Sequence, residues 1–285
     1  NRLRPATDGD ILVPVGTVCV LGTTSVITDH PDDTRIEAWE VSKILREADA
    51  VVPGIRQGRA LRCWAGVRPL YEPTEANHAA GRDVKRTFSV IDHVERDGVR
   101  GLVTVVGGKL TTCRLMAEKA VDVVCQQLGV NKPCTTSEEV LPGVKPRYHR
   151  LDHRLHRLEH GDLPGELICE CEMVTRPQLE ETITAYGDQP VALDDLRRDL
   201  RLGMGPCQAG FCGYRAAGLL QQTKGQTSAE AAHALGDFVN ERYRGVRPLL
   251  WGHQLRQFYL DELIYRRTLG LDQLLAPSDE EAQDV

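Results

Sequence analysis

Cys169-Glu170-Cys171 and Cys207-Gln208-Ala209-Gly210-Phe211-Cys212 place four thiols in a C-x-C and a C-x4-C pair. The run between them is long enough for two helices, so the pattern reads as the ligand set of a metal centre whose halves are joined by folding. Two cysteines one residue apart point the same way out of a tight segment and grip one iron, while the second pair bends through Gly210 and grips another. Each iron of a 2Fe-2S cluster then has two thiolates and two bridging sulfides. Structural zinc also takes four cysteines, but its usual pairs are spaced C-x2-4-C, so this spacing fits it less well. A disulfide from Cys169 or Cys171 to Cys207 or Cys212 is a third reading, and no secretory segment supports it. The two-iron cluster is the preferred reading, with the other two left open.

The elements around these thiols suit an anionic centre. Thr175 with Gln178 forms a capping box with Pro177 in the first turn, and Tyr214 to Gln222 follows Cys212, so helices are predicted to start just after both pairs. Backbone N–H groups at helix starts favour negative charge. Arg215, in the first turn of the later helix, is a candidate to balance the charge of the cluster.

A second stretch with chemical potential is Gly107-Gly108-Lys109-Leu110-Thr111-Thr112. A strand runs into a double glycine and then a helix, Cys113 to Leu128, which presents free N–H groups to an anion or an electron-rich ring. The spacing of a Walker loop is absent. The competing reading is an ordinary strand-to-helix turn with Lys109 in solvent. Upstream, Ala65-Gly66-Val67-Arg68-Pro69-Leu70 puts a glycine beside an arginine on a predicted strand, Leu61 to Tyr71, which permits close approach and delivers one guanidinium to a ligand. The competing reading there is an edge strand with a solvated arginine.

The remaining elements follow from pattern. Ile11 to Val15 and Thr17 to Ile27 read as neighbouring strands, and Thr34 with Glu37 caps a helix with Ile36, Val41, Ile44, Leu45 and Ala48 on its apolar face, ending before Pro53-Gly54. Phe88 to Glu95 and Leu102 to Val106 read as a hairpin turned at Asp97-Gly98. The connector, 131–165, is rich in proline, glycine and basic residues, and its His149, His153, His156 and His160 would share one helical face opposite Leu151, Leu155 and Leu158. Such histidines can hold zinc, but with no carboxylate or supporting shell evident a solvated or partner-packed helix is preferred. Helices are predicted at Pro177 to Tyr186, Leu193 to Leu202, Ser228 to Tyr243 and Gln254 to Arg267. The acidic end, from Ser278, reads as disordered.

Bulk properties narrow the class. A length of 285 residues allows about two domains, and 41% hydrophobic with 27% charged residues is the balance of a globular protein. The net charge of −6 argues against a dedicated nucleic-acid binder. No apolar run reaches the ~18 residues of a spanning helix. Nine cysteines, four of them used as ligands, suggest a reducing compartment.

Two resemblances add to this reading. Ile168-Cys-Glu-Cys-Glu-Met-Val-Thr175, Asp195-Leu-Arg-Arg198, Arg201-Leu-Gly-Met-Gly-Pro-Cys-Gln-Ala-Gly-Phe-Cys212 and Arg215-Ala-Ala-Gly-Leu-Leu220 resemble the bacterioferritin-associated-ferredoxin-like cluster domain. Gly9-Asp-Ile-Leu-Val-Pro14, Gly22-Thr-Thr-Ser25, Ala65-Gly-Val-Arg-Pro-Leu70, Asp92-His93 with Glu95-Arg-Asp-Gly98, and Gly107-Gly-Lys-Leu-Thr-Thr112 with Arg114 and Met116-Ala-Glu118 resemble consecutive blocks of the FAD-dependent glycerol-3-phosphate dehydrogenases. Arg247-Pro-Leu-Leu-Trp-Gly252 also resembles the anaerobic members of that family.

The resemblance implies an α+β architecture: residues 1–130 as the C-terminal part of a DAO-like FAD-dependent oxidoreductase domain, 131–165 as connector, 166–222 as a small helical 2Fe-2S domain and 223–285 as a helical extension. It implies that Gly107, Gly108, Lys109, Leu110, Thr111 and Thr112 contact FAD. Arg68, with Lys109, would meet a phosphorylated substrate, whose dianion needs cations. It further implies oxidation of sn-glycerol 3-phosphate to dihydroxyacetone phosphate, linked to quinone in anaerobic respiration, with electrons leaving through the cluster. The implied partners are a second flavin subunit together with a membrane-anchoring iron-sulfur subunit, holding the enzyme on the cytoplasmic face of the inner membrane. Cys113 stands where the family has tyrosine, and Cys63-Trp64 where it more often has tyrosine and serine. The family's opening G-x-G-x-x-G turn is absent and the chain begins at Asn1, so it is expected to be a fragment that needs the N-terminal FAD-binding half for activity. A related FAD-dependent oxidoreductase acting on another hydroxy compound, or a cluster-bearing electron-transfer module, are the alternatives.

Overall fold

The computed structural model describes residues 8–16, 18–68, 70–71, 87–144 and 150–274. Helices and strands are mixed: β1 (Ile11–Val15), β2 (Val18–Gly22), α1 (Ala38–Asp49), β3 (Phe88–Asp92), α2 (His93–Asp97), β4 (Val103–Gly107), α3 (Cys113–Gln127), α4 (Leu151–Glu159), β5 (Leu167–Cys169), β6 (Val174–Thr175), α5 (Arg176–Ala185), α6 (Leu193–Leu200), α7 (Cys212–Lys224), α8 (Ser228–Arg244), α9 (Gly252–Glu262) and α10 (Leu271–Leu274). The strands form three antiparallel pairs, β1 with β2, β3 with β4 and β5 with β6. The chain divides into two compact units, one of residues 1–23, 36–64 and 147–285, the other of residues 24–35 and 65–146.

The first unit holds the buried core. Leu179 and Ile183 of α5, Leu193, Leu196 and Leu200 of α6, Ala216 and Leu220 of α7, and Phe238 of α8 are packed with Cys169, Cys212 and Tyr265. The core therefore crosses from 166–222 into 223–285. Leu193, Leu196 and Leu200 follow the helical period of a single buried stripe, and α6 stops where Arg201 and Gly203 turn left-handed. In α5 the expected box is present: Gln178 Oε1 accepts from the backbone N–H of Thr175 at 3.0 Å.

The segment before Ala65 lies on the C-terminal helices of this unit. The Cys63 N–H donates to Gly245 O at 2.8 Å, Gln254 Nε2 donates to Leu61 O at 3.1 Å, and Arg59 donates to Pro206 O. A Cβ on Gly245 would lie 2.5 Å from Cys63 O, so only glycine admits this contact. The strand expected over Leu61 to Tyr71 is not formed among the described residues; the segment makes isolated bonds and no ladder.

In the second unit β3 and β4 pair from Phe88–Gly107 to Asp92–Val103, and α3 packs on them. The hairpin is as expected, but its connection is not a two-residue turn. Asp92 caps α2 by accepting from the Val94 N–H, and Gly98 ends that helix in the left-handed region. His93 bridges Asp97 and Thr104, pinning α2 to β4. No described residue of this unit is fully buried.

Two other expectations shift. The helix expected after Thr34 starts at Ala38, because Glu40 rather than Glu37 closes the box, accepting from the Glu37 N–H at 3.0 Å. In α4 Leu155 is exposed and Arg154 is the buried residue. The rings of His156 and His160 lie 4.0 Å apart, and His160 Nδ1 bonds His156 O. His149, Pro69 and the acidic end fall outside the described residues.

Candidate metal centre and flavin-side turn

β5 ends on Cys169, and the chain turns through Cys171, Glu172 and a left-handed Met173 before β6. The second pair arrives on a loop after α6, where Gln208 and Ala209 are both left-handed, and Cys212 opens α7. These two loops meet. Cys169 interacts electrostatically with Cys212, and Cys207 with Cys171. The two motifs expected from the sequence are thus brought together by folding. Among the described residues no group of three or more His, Cys, Asp or Glu is arranged around one ion.

The surroundings act differently on the individual sulfurs. Backbone N–H groups of Gly203 and Glu172 point at Cys169, those of Ala209 and Phe211 at Cys207, and that of Gly203 at Cys212. The hydrogen bond from Cys212, aided by these N–H groups, draws Cys169 down to about 7. Its partner Cys212 is driven far above the usual thiol range, first by sharing its proton with Cys169 and then by burial. Burial and the neighbouring Cys171 push Cys207 up to about 11. The cradle is also tight: a Cβ on Gly205 would sit 2.2 Å from Cys171 Cβ.

Arg215, read from sequence as a counter-charge, instead pairs with Glu170, the residue between the first two cysteines, and reaches Ile168 O. Its charge is thereby largely neutralised at the motif. The helices of the extension close over the second loop. Tyr265 Oη donates to Ala209 O at 3.1 Å, and a Cβ on Gly210 would lie 2.4 Å from an Asp261 carboxylate oxygen.

The flavin-side turn lies in the second unit. Gly107 and Gly108 are both left-handed, and a Cβ on Gly108 would lie 2.6 Å from Met116 Sδ and 3.0 Å from Phe88 Cβ, so neither position admits a larger residue without strain. Lys109 is extended and exposed, and Thr112 locks the turn: its Oγ1 accepts from the Lys109 N–H at 3.2 Å and donates to Lys109 O at 2.9 Å. Leu110 is 89% exposed. Leu110 to Thr112 form one tight 3-10 turn that leads into α3. Arg68 belongs to the same unit, where its Nη1 donates to Ser25 Oγ at 3.0 Å. That bond joins two of the blocks singled out in the sequence, Gly22 to Ser25 and Ala65 to Leu70.

Two buried arginines were missed by the sequence reading, Arg154 on α4 and Arg242 on α8. The only signal was an arginine at a core-facing helical position, which surface arginines mimic.

Comparisons with known proteins place this turn and the cysteine loops in context. Residues 2–121 match the family described as FAD dependent oxidoreductase. Beyond it, the chain is similar over 95% of its length, at 40% identity, to the A-type subunit of the anaerobic glycerol-3-phosphate dehydrogenase of Escherichia coli K12, covering 54% of that protein. The subunit of the same name in Haemophilus influenzae is 37% identical over 99% of the chain and 53% of the relative, and its counterpart in Haloferax volcanii is 35% identical over 98% and 50%. The chain spans about half the length of these curated relatives. No solved structure matches it significantly. Among the described residues no helix is long and apolar enough to cross a membrane.

Proposed function

We propose that the chain carries the flavin-turn and cluster portions of the catalytic subunit of a quinone-linked, FAD-dependent sn-glycerol-3-phosphate dehydrogenase. The observation that carries this reading is the meeting of Cys169, Cys171, Cys207 and Cys212 on two loops, in a chain whose residues 2–121 match an FAD-dependent oxidoreductase family. When bound, FAD supplies the two-electron acceptor for an alcohol carbon, and a 2Fe-2S cluster supplies a one-electron outlet. The four cysteines hold the cluster, and the N–H groups of Gly203, Glu172, Ala209 and Phe211 stabilise sulfur-borne charge. Four cysteines on two adjoining loops suit a centre with two thiolates on each of two irons. Gly107 to Thr112 cradle the flavin, with the left-handed glycines allowing close approach. Arg68, steadied by Ser25, and Lys109 bind the substrate phosphate. A second flavin subunit together with a membrane-anchoring iron-sulfur subunit would take the electrons on to quinone.

The deciding measurement is an anaerobic purification with iron, sulfide, zinc and flavin analysis. About two irons and two sulfides per chain, with visible bands bleached by dithionite, are expected. Zinc without visible absorption would overturn the electron-transfer reading. Turnover of glycerol 3-phosphate by the full-length subunit with its partners, assayed with a quinone analogue, tests the substrate.

A further inference from the structure

Each cysteine loop is held by a buried arginine from a helix outside the cysteine motifs. Arg154 of α4 is 4% exposed, and its guanidinium donates to Glu172 O and, at 2.6 Å, to Glu172 Oε2. Glu172 follows Cys171 and is itself 7% exposed, and its N–H points at the sulfur of Cys169. Arg201 Nε adds a second cation to the same carboxylate oxygen at 3.0 Å. On the other loop, Arg242 of α8 is 2% exposed and its Nη2 donates to Gln208 Oε1 at 2.6 Å. Gln208 follows Cys207, and its Nε2 donates back to Gly205 O at 2.9 Å. The Nε and Nη1 of Arg242 are buried without a hydrogen-bond partner.

Burying these charges is expensive, and an ion pair of this kind contributes little to stability over an apolar pair of the same volume. Its value lies in geometry and field. The left-handed Met173, Gln208 and Ala209 are conformations that side-chain-bearing residues adopt only when held. The planar guanidinium of Arg154 fixes two acceptors of Glu172 at once and that of Arg242 directs one donor at Gln208, a rigid aim that a flexible ammonium does not reproduce. Guanidinium charge lies beside both loops: Arg154 and Arg201 meet the Glu172 carboxylate, and Arg242 meets the neutral amide of Gln208. Positive charge beside a cluster favours its more negative, reduced state.

We propose that Arg154 and Arg242 are positioning residues that clamp one cysteine loop each and raise the reduction potential of the cluster. The proposal rests on the cluster reading above. The test uses the full 285-residue chain with Arg154→Gln, Arg154→Lys, Arg242→Gln and Arg242→Lys. Iron and sulfide content and a redox titration followed by electron paramagnetic resonance are measured on the loaded chain. Amide hydrogen exchange over residues 168–174 and 204–212 is measured on the metal-free chain.

The glutamine variants are expected to keep iron but to be about tenfold harder to reduce, ~59 mV for one electron. The lysine variants should restore the potential, having the charge, while the faster exchange of the clamped loop persists, lacking the fork. Unchanged potential and unchanged exchange in the glutamine variants would overturn the proposal. If a glutamine variant loses its iron, exchange in the metal-free chain and the potential of the lysine variant decide. A wild-type chain without iron and sulfide would instead sink the cluster reading, and the clamp would then stand or fall on exchange alone.

Discussion

On the proposed reading, Arg68 and Gly108 show what single side chains contribute to substrate and flavin binding. Arg68 is half-buried and bonded to Ser25, so its guanidinium is placed before any substrate arrives. Replacing it with glutamine removes a charge-assisted contact worth about 1.5–3 kcal/mol. In the full-length enzyme with its partners, kcat/KM for glycerol 3-phosphate should fall about 10–100-fold while flavin content stays constant. Gly108→Ala acts differently. Its left-handed backbone and the 2.6 Å approach of Met116 Sδ leave no room for a methyl group. The variant should lose FAD, read as the flavin absorbance per chain, with the cluster content of the other unit unchanged.

At the scale of elements, α9 does more than extend the chain. It carries Asp261, buried against Gly210 of the second cysteine loop and bonded by Gln257 at 2.8 Å. Burial raises this carboxyl from 3.8 to about 6. A carboxyl raised by folding binds its proton more tightly in the native state. Its stabilising effect is therefore complete below about pH 4 and is lost as pH rises through about 6. Asp261→Asn keeps an acceptor for Gln257 and removes this titration. It should be more stable than wild type at pH 7, by on the order of 2 kcal/mol, and nearly equal to it at pH 4. Urea unfolding at the two pH values measures the difference; an equal gain at both would mean that packing rather than ionisation is responsible.

For the molecule as a whole, the two units differ in what holds them together. Every fully buried side chain among the described residues belongs to the unit built on the cysteine loops, α5 to α10, α1 and the segment before Ala65. The cysteines are part of that core, with Cys169 and Cys212 in contact with it. On the proposed cluster reading, metal binding and folding of this unit are therefore coupled. Removing iron with a chelator under anaerobic conditions is expected to lower the melting temperature of the α-helical transition measured by circular dichroism. The β3–β4 hairpin with α3 has a half-covered apolar surface and no such core, so its signals should be insensitive to iron.

The sequence by itself determined the local chemistry. The cysteine pairs, the Thr175–Gln178 cap, the leucine stripe of α6 and the double glycine before Lys109 are written in residue types and short spacings, where propensity and sterics act over a few residues. It also carried the likeness to the anaerobic glycerol-3-phosphate dehydrogenases, because that likeness lies in contiguous blocks. What only the tertiary structure decided depends on residues far apart in the chain. Which thiol touches which, the closing of α8 and α9 over the second loop, and the placement of Leu61 and Cys63 on Gly245 and Gln254 have no local signature. Arg154 and Arg242 make the same point. An arginine reads as a solvated residue until a buried carboxylate or amide is brought to it, and that meeting is a property of the folded core, not of the neighbours in sequence.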